Sequence, residues 1–309
     1  MKELITMWKN TRMIVLVAVT AALYAAILIP FKVAIPLVPG FTEVRPANVI
    51  PILCSLMFGP AAAWGAAIGN TIADAFGTFG LGTLFGFVGN FLYGYIPYKM
   101  WQTIGKGTPI VKSYISPMKS SIIALVSAIA VGLITWLITR AYMQNPQIYI
   151  VILSASIVFL VLRFLSIQYL LVLLTASSAC GVFIGWGVHA LGLVPFSVLA
   201  NIITLNNFVV SAALGPLLIP PIYPVIKRLG LIYTDVMNES DLSKPKMLGS
   251  ILMIIGVIGA LIVGNWIAIG GYDMGVLGAG FGQAVQGAGG LGLGLAPFIL
   301  LIIIAFIIM

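Results

Sequence analysis

Asn70 and Asp74 stand at i and i+4 in the apolar stretch Trp64-Gly-Ala-Ala-Ile-Gly-Asn-Thr-Ile-Ala-Asp-Ala-Phe-Gly77. That spacing puts an amide and a carboxylate on one face of a helix. A carboxylate at the centre of a membrane helix costs about 2.5–3.5 kcal/mol, so it turns toward a polar interior or toward water. Near a helix end the cost shrinks, and plain solvation competes with a binding role. Upstream, Phe41-Thr-Glu-Val-Arg-Pro-Ala-Asn48 places Glu43, Arg45 and Asn48 where a polar loop meets the next apolar run. Asn90, Asn206 and Asn207 are further amides in apolar runs, with Asn201 close by. An amide in lipid needs a partner, which a neighbouring helix or a polar solute can supply. These residue types suit capture of a small polar solute by hydrogen bonds and charge; structural hydrogen bonding between helices is the competing reading. Trp64 could stack on a planar ligand or pack between helices.

Other chemistries lack their residues. His189 is the single histidine, so no multi-histidine metal site forms, and a hydrogen-bonded position near an interface suits it. Cys54 and Cys180 lie in apolar runs and read as small packing residues. There is no GxxxxGK[ST], HExxH or CxxC signature. The expectation is a protein that is not an enzyme and uses neither cofactor nor metal. Any ATP used would be hydrolysed by another subunit.

The elements that hold these residues follow from composition. Of 309 residues 61% are hydrophobic and 7% charged, with mean hydropathy +1.17. A soluble domain carries about 25% charged residues, so the chain reads as an all-α, polytopic membrane bundle. About ten apolar segments emerge, at 12–31, 46–58, 60–79, 81–98, 120–141, 147–163, 166–190, 198–226, 248–269 and 294–309. Pro46 and Pro51 mark the second as bent or incompletely spanning. Arg163 is the main break between the sixth and seventh. With the N-terminus in the cytoplasm, alternation places Lys32, Arg45 and Arg140 outside and the other 12 of 15 basic residues inside, as the positive-inside rule requires. The net charge of +8 therefore reports orientation and not nucleic-acid binding. The polar stretch 236–247 separates a substrate-binding core, 1–235, from a two-helix C-terminal addition, 248–309, with a Gly-rich loop at 270–293. The segment 120–163 reads as an inserted helix pair.

Ala18, Ala22 and Ala26, at four-residue spacing in the first helix, form a strip of methyl groups with Ala21 and Ala25 beside it. Such strips let another backbone approach closely, within the chain or from another membrane subunit. Together with Phe58-Gly-Pro60, Gly65, Gly69 and Asp74, and with Leu205-Asn-Asn-Phe and Gly215-Pro-Leu-Leu-Ile-Pro-Pro-Ile-Tyr-Pro224 before Lys227-Arg228, the strip resembles the substrate-binding (S) components of energy-coupling factor vitamin transporters. Arg45 before a Pro-containing helix and Pro60…Gly65…Gly69-Asn70 look most like the queuosine-precursor branch. The resemblance covers about 10–100 and 166–230. It implies a six-helix core that takes a vitamin-like or nucleobase-like micronutrient from outside the cell membrane. It also implies docking through Ala18, Ala22 and Ala26 on a transmembrane coupling subunit bound to an ATPase pair. The additional helix pairs depart from that pattern and suit a solitary or homo-oligomeric form as well. Two other readings stay open: an ion-coupled secondary transporter using Asp74, and an intramembrane enzyme.

Overall fold

A computed structural model describes residues 1–105, 121–142, 148–244, 246–268 and 288–309. Expectations for the Gly-rich loop up to residue 287 and for Lys106, Lys112 and Lys119 among the inside basic residues lie outside the described residues. The structure has a helix over each of the ten apolar segments. Among the described residues, five helices are long and apolar enough to cross a membrane. The protein is a multi-pass membrane protein; ten crossings are a larger number than those five helices establish.

The chain divides into two compact units, residues 1–107 with 172–309, and residues 108–171. In the first, a short helix α1 (Lys2–Thr6) precedes α2 (Thr11–Ala34). Asn10 caps α2, its side-chain oxygen accepting from the backbone N–H of Arg12 at 3.0 Å and of Met13 at 3.3 Å. A two-stranded hairpin follows, β1 (Pro36–Val38) against β2 (Thr42–Glu43). Gly40 closes its turn at φ 80°, where a side chain would be strained. Arg45 precedes Pro46 and, at φ −119° and ψ 80°, stays out of the helical region that a residue before proline avoids. A single 3₁₀ turn, Pro46–Asn48, then feeds α3 (Val49–Phe58). Gly59, at φ 55°, turns the chain with the Tyr233 ring against it, and Pro60 starts α4 (Pro60–Asp74). This helix ends at Asp74, short of the expected 79, and α5 (Gly82–Ile104) follows.

Small residues set the packing. The smooth face of α4 lies on α2: a side chain at Gly65 would strike Thr20 and the carbonyl of Val17, and one at Gly69 would lie 2.8 Å from the carbonyl oxygen of Ala21. Gly94 of α5 lies equally close to the backbone of Ala62 and Ala63. Ala21 and Ala25 are buried by this packing, whereas Ala18, Ala22 and Ala26 are exposed. The strip is thus not used for packing among the described residues.

Within the first unit, α8 (Ile167–Ala190, from Val172 on), α9 (Phe196–Arg228) and a short α10 (Tyr233–Val236) precede α11 (Met247–Ala268) and α12 (Ala288–Ile308). The last helix begins ahead of the expected 294. The C-terminal pair is knitted to the rest of this unit. Gly264 seats the Phe196 ring, Tyr95 and Phe306 pack with ring centres 4.6 Å apart, and Thr103 and Ser250 share a hydrogen bond of 2.7 Å.

The 236–247 stretch, expected as a spacer, wraps the N-terminus. Lys2 Nζ donates to the Ser240 carbonyl at 2.8 Å and Asn10 to that of Val236 at 2.9 Å. Ser243 donates to Glu3 at 2.8 Å and accepts from Lys99 at 2.6 Å, while Lys99 and Glu3 form an ion pair. Burial pushes the Glu3 carboxyl up, but the hydrogen bond and charge of Lys99 outweigh it and hold the group at about 2.

The second unit contains α6 (Ser121–Tyr142) and α7 (Ile148–Phe164), whose end and the start of α8 at Ile167 place a break beside Arg163. The two helices meet where Gly132 lies against Val151 and Ala155, and Ser154 donates to Thr135 at 3.2 Å. The Arg140 guanidinium stacks over Trp136 at 5.1 Å.

Candidate functional site

At the end of α4 the i, i+4 pair forms as the spacing demands: Asn70 Nδ2 donates to Asp74 Oδ2 at 2.9 Å. The other carboxylate oxygen, Oδ1, accepts from Lys32 Nζ at 2.6 Å and from Thr78 at 3.1 Å. Lys32 in turn donates to Thr78 at 2.5 Å. Lys32 comes from the last turn of α2 and Thr78 from the turn after α4, so three segments converge on one carboxylate.

Arg45 joins this group from the hairpin side. Its Nη1 donates to Asn70 Oδ1 at 3.1 Å, and its Nη2 lies 3.4 Å from the carbonyl of Phe41. The Nε lies 2.9 Å from Glu43 Oε1. The N–H does not point at that oxygen, and neither atom makes a hydrogen bond. The contact is an ion pair by charge and proximity, leaving an unused donor and an unused acceptor. Asn206 of α9 clamps the same stretch, its Nδ2 donating to the Glu43 carbonyl at 2.8 Å and its Oδ1 facing the Arg45 N–H at 3.5 Å.

A second layer lies beneath. Asn48 Nδ2 donates to Asn207 Oδ1 at 2.5 Å. The Tyr24 hydroxyl of α2 lies 3.1 Å from Asn48 Oδ1 and 3.0 Å from Asn90 Oδ1, and Asn90 Nδ2 donates to the Gly86 carbonyl at 2.9 Å. The Tyr93 hydroxyl and Ser211 share a hydrogen bond of 2.7 Å, and both reach the Asn48 carbonyl. Buried amides and hydroxyls in apolar surroundings are costly unless satisfied, and this layer satisfies them with one another.

Above the first layer lies a cavity of about 310 Å³, at the small end of the range for ligand sites. Arg45, Asn70, Asp74, Thr78 and Thr83 line it on the polar side. Phe41, Phe79, Ile184, Val188, Leu199 and Ile203 contribute apolar surface. This mixture of hydrogen-bonding groups with aromatic and aliphatic ones suits a small solute that has both polar and apolar surface.

Of the residues singled out from the sequence, Arg45, Asn70 and Asp74 line the cavity. Glu43, Asn48, Asn90, Asn206 and Asn207 support it through the hydrogen bonds above. Trp64 lies elsewhere: its indole N–H donates to the Leu4 carbonyl at 3.1 Å, and its ring packs edge-on against Trp8 and Phe91. Asn201 also lies apart, in a reciprocal amide pair with Asn265 at 2.6 and 2.9 Å. His189 accepts at Nδ1 from the Phe196 N–H at 3.3 Å. Among the described residues no cluster of His, Cys, Asp and Glu suits a metal ion. The sequence reading missed Lys32, Thr78, Tyr24 and Tyr93. For Lys32 a signal existed: it and Arg45 are two of the three bases assigned outside, matching in number the two acids, Glu43 and Asp74, at that end.

Residues 14–163, just under half of the chain, match the model of a protein family described as QueT transporter. The matched stretch takes in α2 to α5 and the α6–α7 pair, and stops before α8 and α9. No curated protein and no solved structure matches the chain.

Proposed function

We propose, from the QueT-transporter match over residues 14–163 and from the cavity lined by Arg45, Asn70 and Asp74, that this protein is the substrate-binding subunit of a micronutrient importer. The observation that carries the reading is the convergence of Arg45, Asn70 and Asp74 on a cavity just large enough for a small planar solute. The solute we favour is a nucleobase-like queuosine precursor. Its polar edge would meet the guanidinium of Arg45 and the amide of Asn70, and its faces would lie against apolar side chains. The site end faces outside and the Glu3–Lys99–Ser243 end faces the cytoplasm, in the cell membrane, since most basic residues fall on the latter side.

Energy would come from outside the chain. The exposed strip of Ala18, Ala22 and Ala26 offers a helix face on which a coupling subunit, itself bound to two ATPases, can pack closely. Asp74 is already engaged by Lys32, Thr78 and Asn70, which argues against a carboxylate free to bind and release a coupling ion. The transporter-family match favours transport over an enzymatic role.

Uptake of a labelled queuosine precursor into cells expressing this chain tests the reading. Uptake should require co-expression of a coupling subunit with its ATPases and should stop when ATP is depleted. Uptake by this chain alone, abolished by collapsing ion gradients, would replace the reading with a secondary transporter.

A further inference from the structure

At the start of α2, the end away from Lys32, a second cavity of about 520 Å³ opens between the N-terminal segment and the stretch 236–241. Two hydrogen bonds hold its walls together: Asn10 Nδ2 donates to the Val236 carbonyl at 2.9 Å and Lys2 Nζ to that of Ser240 at 2.8 Å. Thr6, Lys9, Arg12, Asn238 and Asp241 supply polar lining. Neither Lys9 nor Arg12 forms an ion pair or a side-chain hydrogen bond among the described residues. The Thr6 hydroxyl oxygen is buried and has no hydrogen-bond partner. Asn10 already caps the N–H groups of Arg12 and Met13, so the attraction here comes from the two side-chain cations and not from the helix end. Asp235 and Glu239 do not line the cavity. Its lining thus carries two positive charges, Lys9 and Arg12, against one negative, Asp241.

We propose that this cavity binds the headgroup of an anionic phospholipid whose phosphodiester carries a hydroxylated alcohol. The phosphodiester has a single negative charge, which cancels the excess positive charge of the lining. Arg12 offers a planar fork of donors suited to two phosphate oxygens, and Lys9 a point charge. The Thr6 hydroxyl gains an acceptor, and Asp241 accepts from the hydroxyls beyond the phosphate. A zwitterionic headgroup brings no net charge and leaves the excess uncompensated. The position suits a lipid and not a free anion. Trp8, next to Lys9 in the chain, is exposed, and tryptophan favours the membrane–water interface. From Arg12 the exposed Val15 and Val19 follow at i+3 and i+7 on α2. That spacing makes one helical face, which leads from the cavity along an apolar span and gives acyl chains a surface to lie on. The site is separate from the cavity at the end of α4 and does not depend on which solute binds there.

Native mass spectrometry of the full-length protein, released from detergent with equal amounts of phosphatidylglycerol and phosphatidylcholine, tests the proposal. Wild type should retain one phosphatidylglycerol per chain, at least about ten-fold in preference to phosphatidylcholine. Lys9→Gln/Arg12→Gln should lower that retention about thirty-fold, since each cation beside an anionic headgroup contributes about five-fold. Lys227→Gln/Arg228→Gln removes the same charge from the end of α9, outside the cavity, and should stay within about three-fold of wild type. Equal losses in the two double variants would reduce the effect to general attraction by a basic protein and overturn the site. Equal retention of both lipids by wild type overturns it as well. So does loss of the lipid to a ten-fold excess of inorganic phosphate, because the cavity then takes a free anion. If Lys9→Gln/Arg12→Gln cannot be purified folded, Arg12→Gln alone decides: a loss of about five-fold supports the proposal and unchanged retention overturns it.

Discussion

Asp74→Ala is expected to weaken solute binding about 10- to 150-fold and to lower the stability of the protein severely. The substitution leaves Lys32 charged and 1% exposed with no carboxylate beside it. Removing one partner of a buried ion pair typically costs about 3–5 kcal/mol, because the remaining charge stays desolvated. The damage spreads: Asn70 and Thr78 both donate to Asp74, and Asn70 in turn fixes Nη1 of Arg45. Ligand-binding groups thus lose their orientation even where they do not touch the missing carboxylate. Losing one hydrogen bond to a charged group is worth about 1.5–3 kcal/mol, roughly a 10- to 150-fold loss of affinity. Thermal unfolding in detergent and titration of ligand measure the two effects separately. Asp74→Ala with wild-type melting and wild-type affinity would show that the convergence at α2, α4 and the hairpin does not support the site.

Ala18→Leu/Ala22→Leu/Ala26→Leu is expected to stop uptake while leaving ligand binding intact. The three methyl groups face outward from α2, and the helix packs on α4 through Val17, Thr20 and Ala21 instead. Added bulk on that outward face meets no described residue of the chain, and exposed substitutions of this kind change stability by about 0.5 kcal/mol or less. An interface that relies on close backbone approach responds differently. Overpacking typically costs about 1–3 kcal/mol, which is roughly a 5- to 150-fold loss of affinity for the partner. Binding measured on the purified variant and uptake measured with the coupling subunit present form the paired readout. Full uptake by the triple variant would move the docking surface away from α2.

These two expectations depend unequally on what the sequence discloses. The helix positions are legible because runs of apolar residues bounded by Pro46, Gly59-Pro60, Gly80 and Pro195 leave the chain few other ways to satisfy its backbone in lipid. The face shared by Asn70 and Asp74 follows from helical period alone. The orientation of α2 does not follow. Nearly every residue from Met13 to Pro30 is apolar, so periodicity distinguishes no inner side, and the adjacent strips Ala18/Ala22/Ala26 and Ala21/Ala25 look alike until Gly65 and Gly69 select the second.

Lys32 was obscured for a different reason. A lysine at the end of an apolar run ordinarily marks topology by reaching water, and its partner lies past the hairpin and α3, at the end of α4. Trp64 misled because its neighbours along α4 point to the site end, whereas its own ring lies beside Leu4 and Trp8 near the opposite terminus of the helix. The 236–247 stretch looked like a spacer since polarity alone cannot show that Ser240 and Ser243 meet Lys2, Glu3 and Lys99. Partners distant in sequence are what composition and spacing leave unspecified.

Calorimetric titration of a queuosine precursor into the purified full-length protein in nanodiscs, beside the Arg45→Ala variant, tests the central claim most directly. The account predicts saturable binding at one site per chain in wild type, and loss of that binding in the variant with the helical fold retained. Absence of binding by wild type, or equal binding by Arg45→Ala, would contradict the assignment of the cavity beneath Phe41 and Phe79 as the solute site.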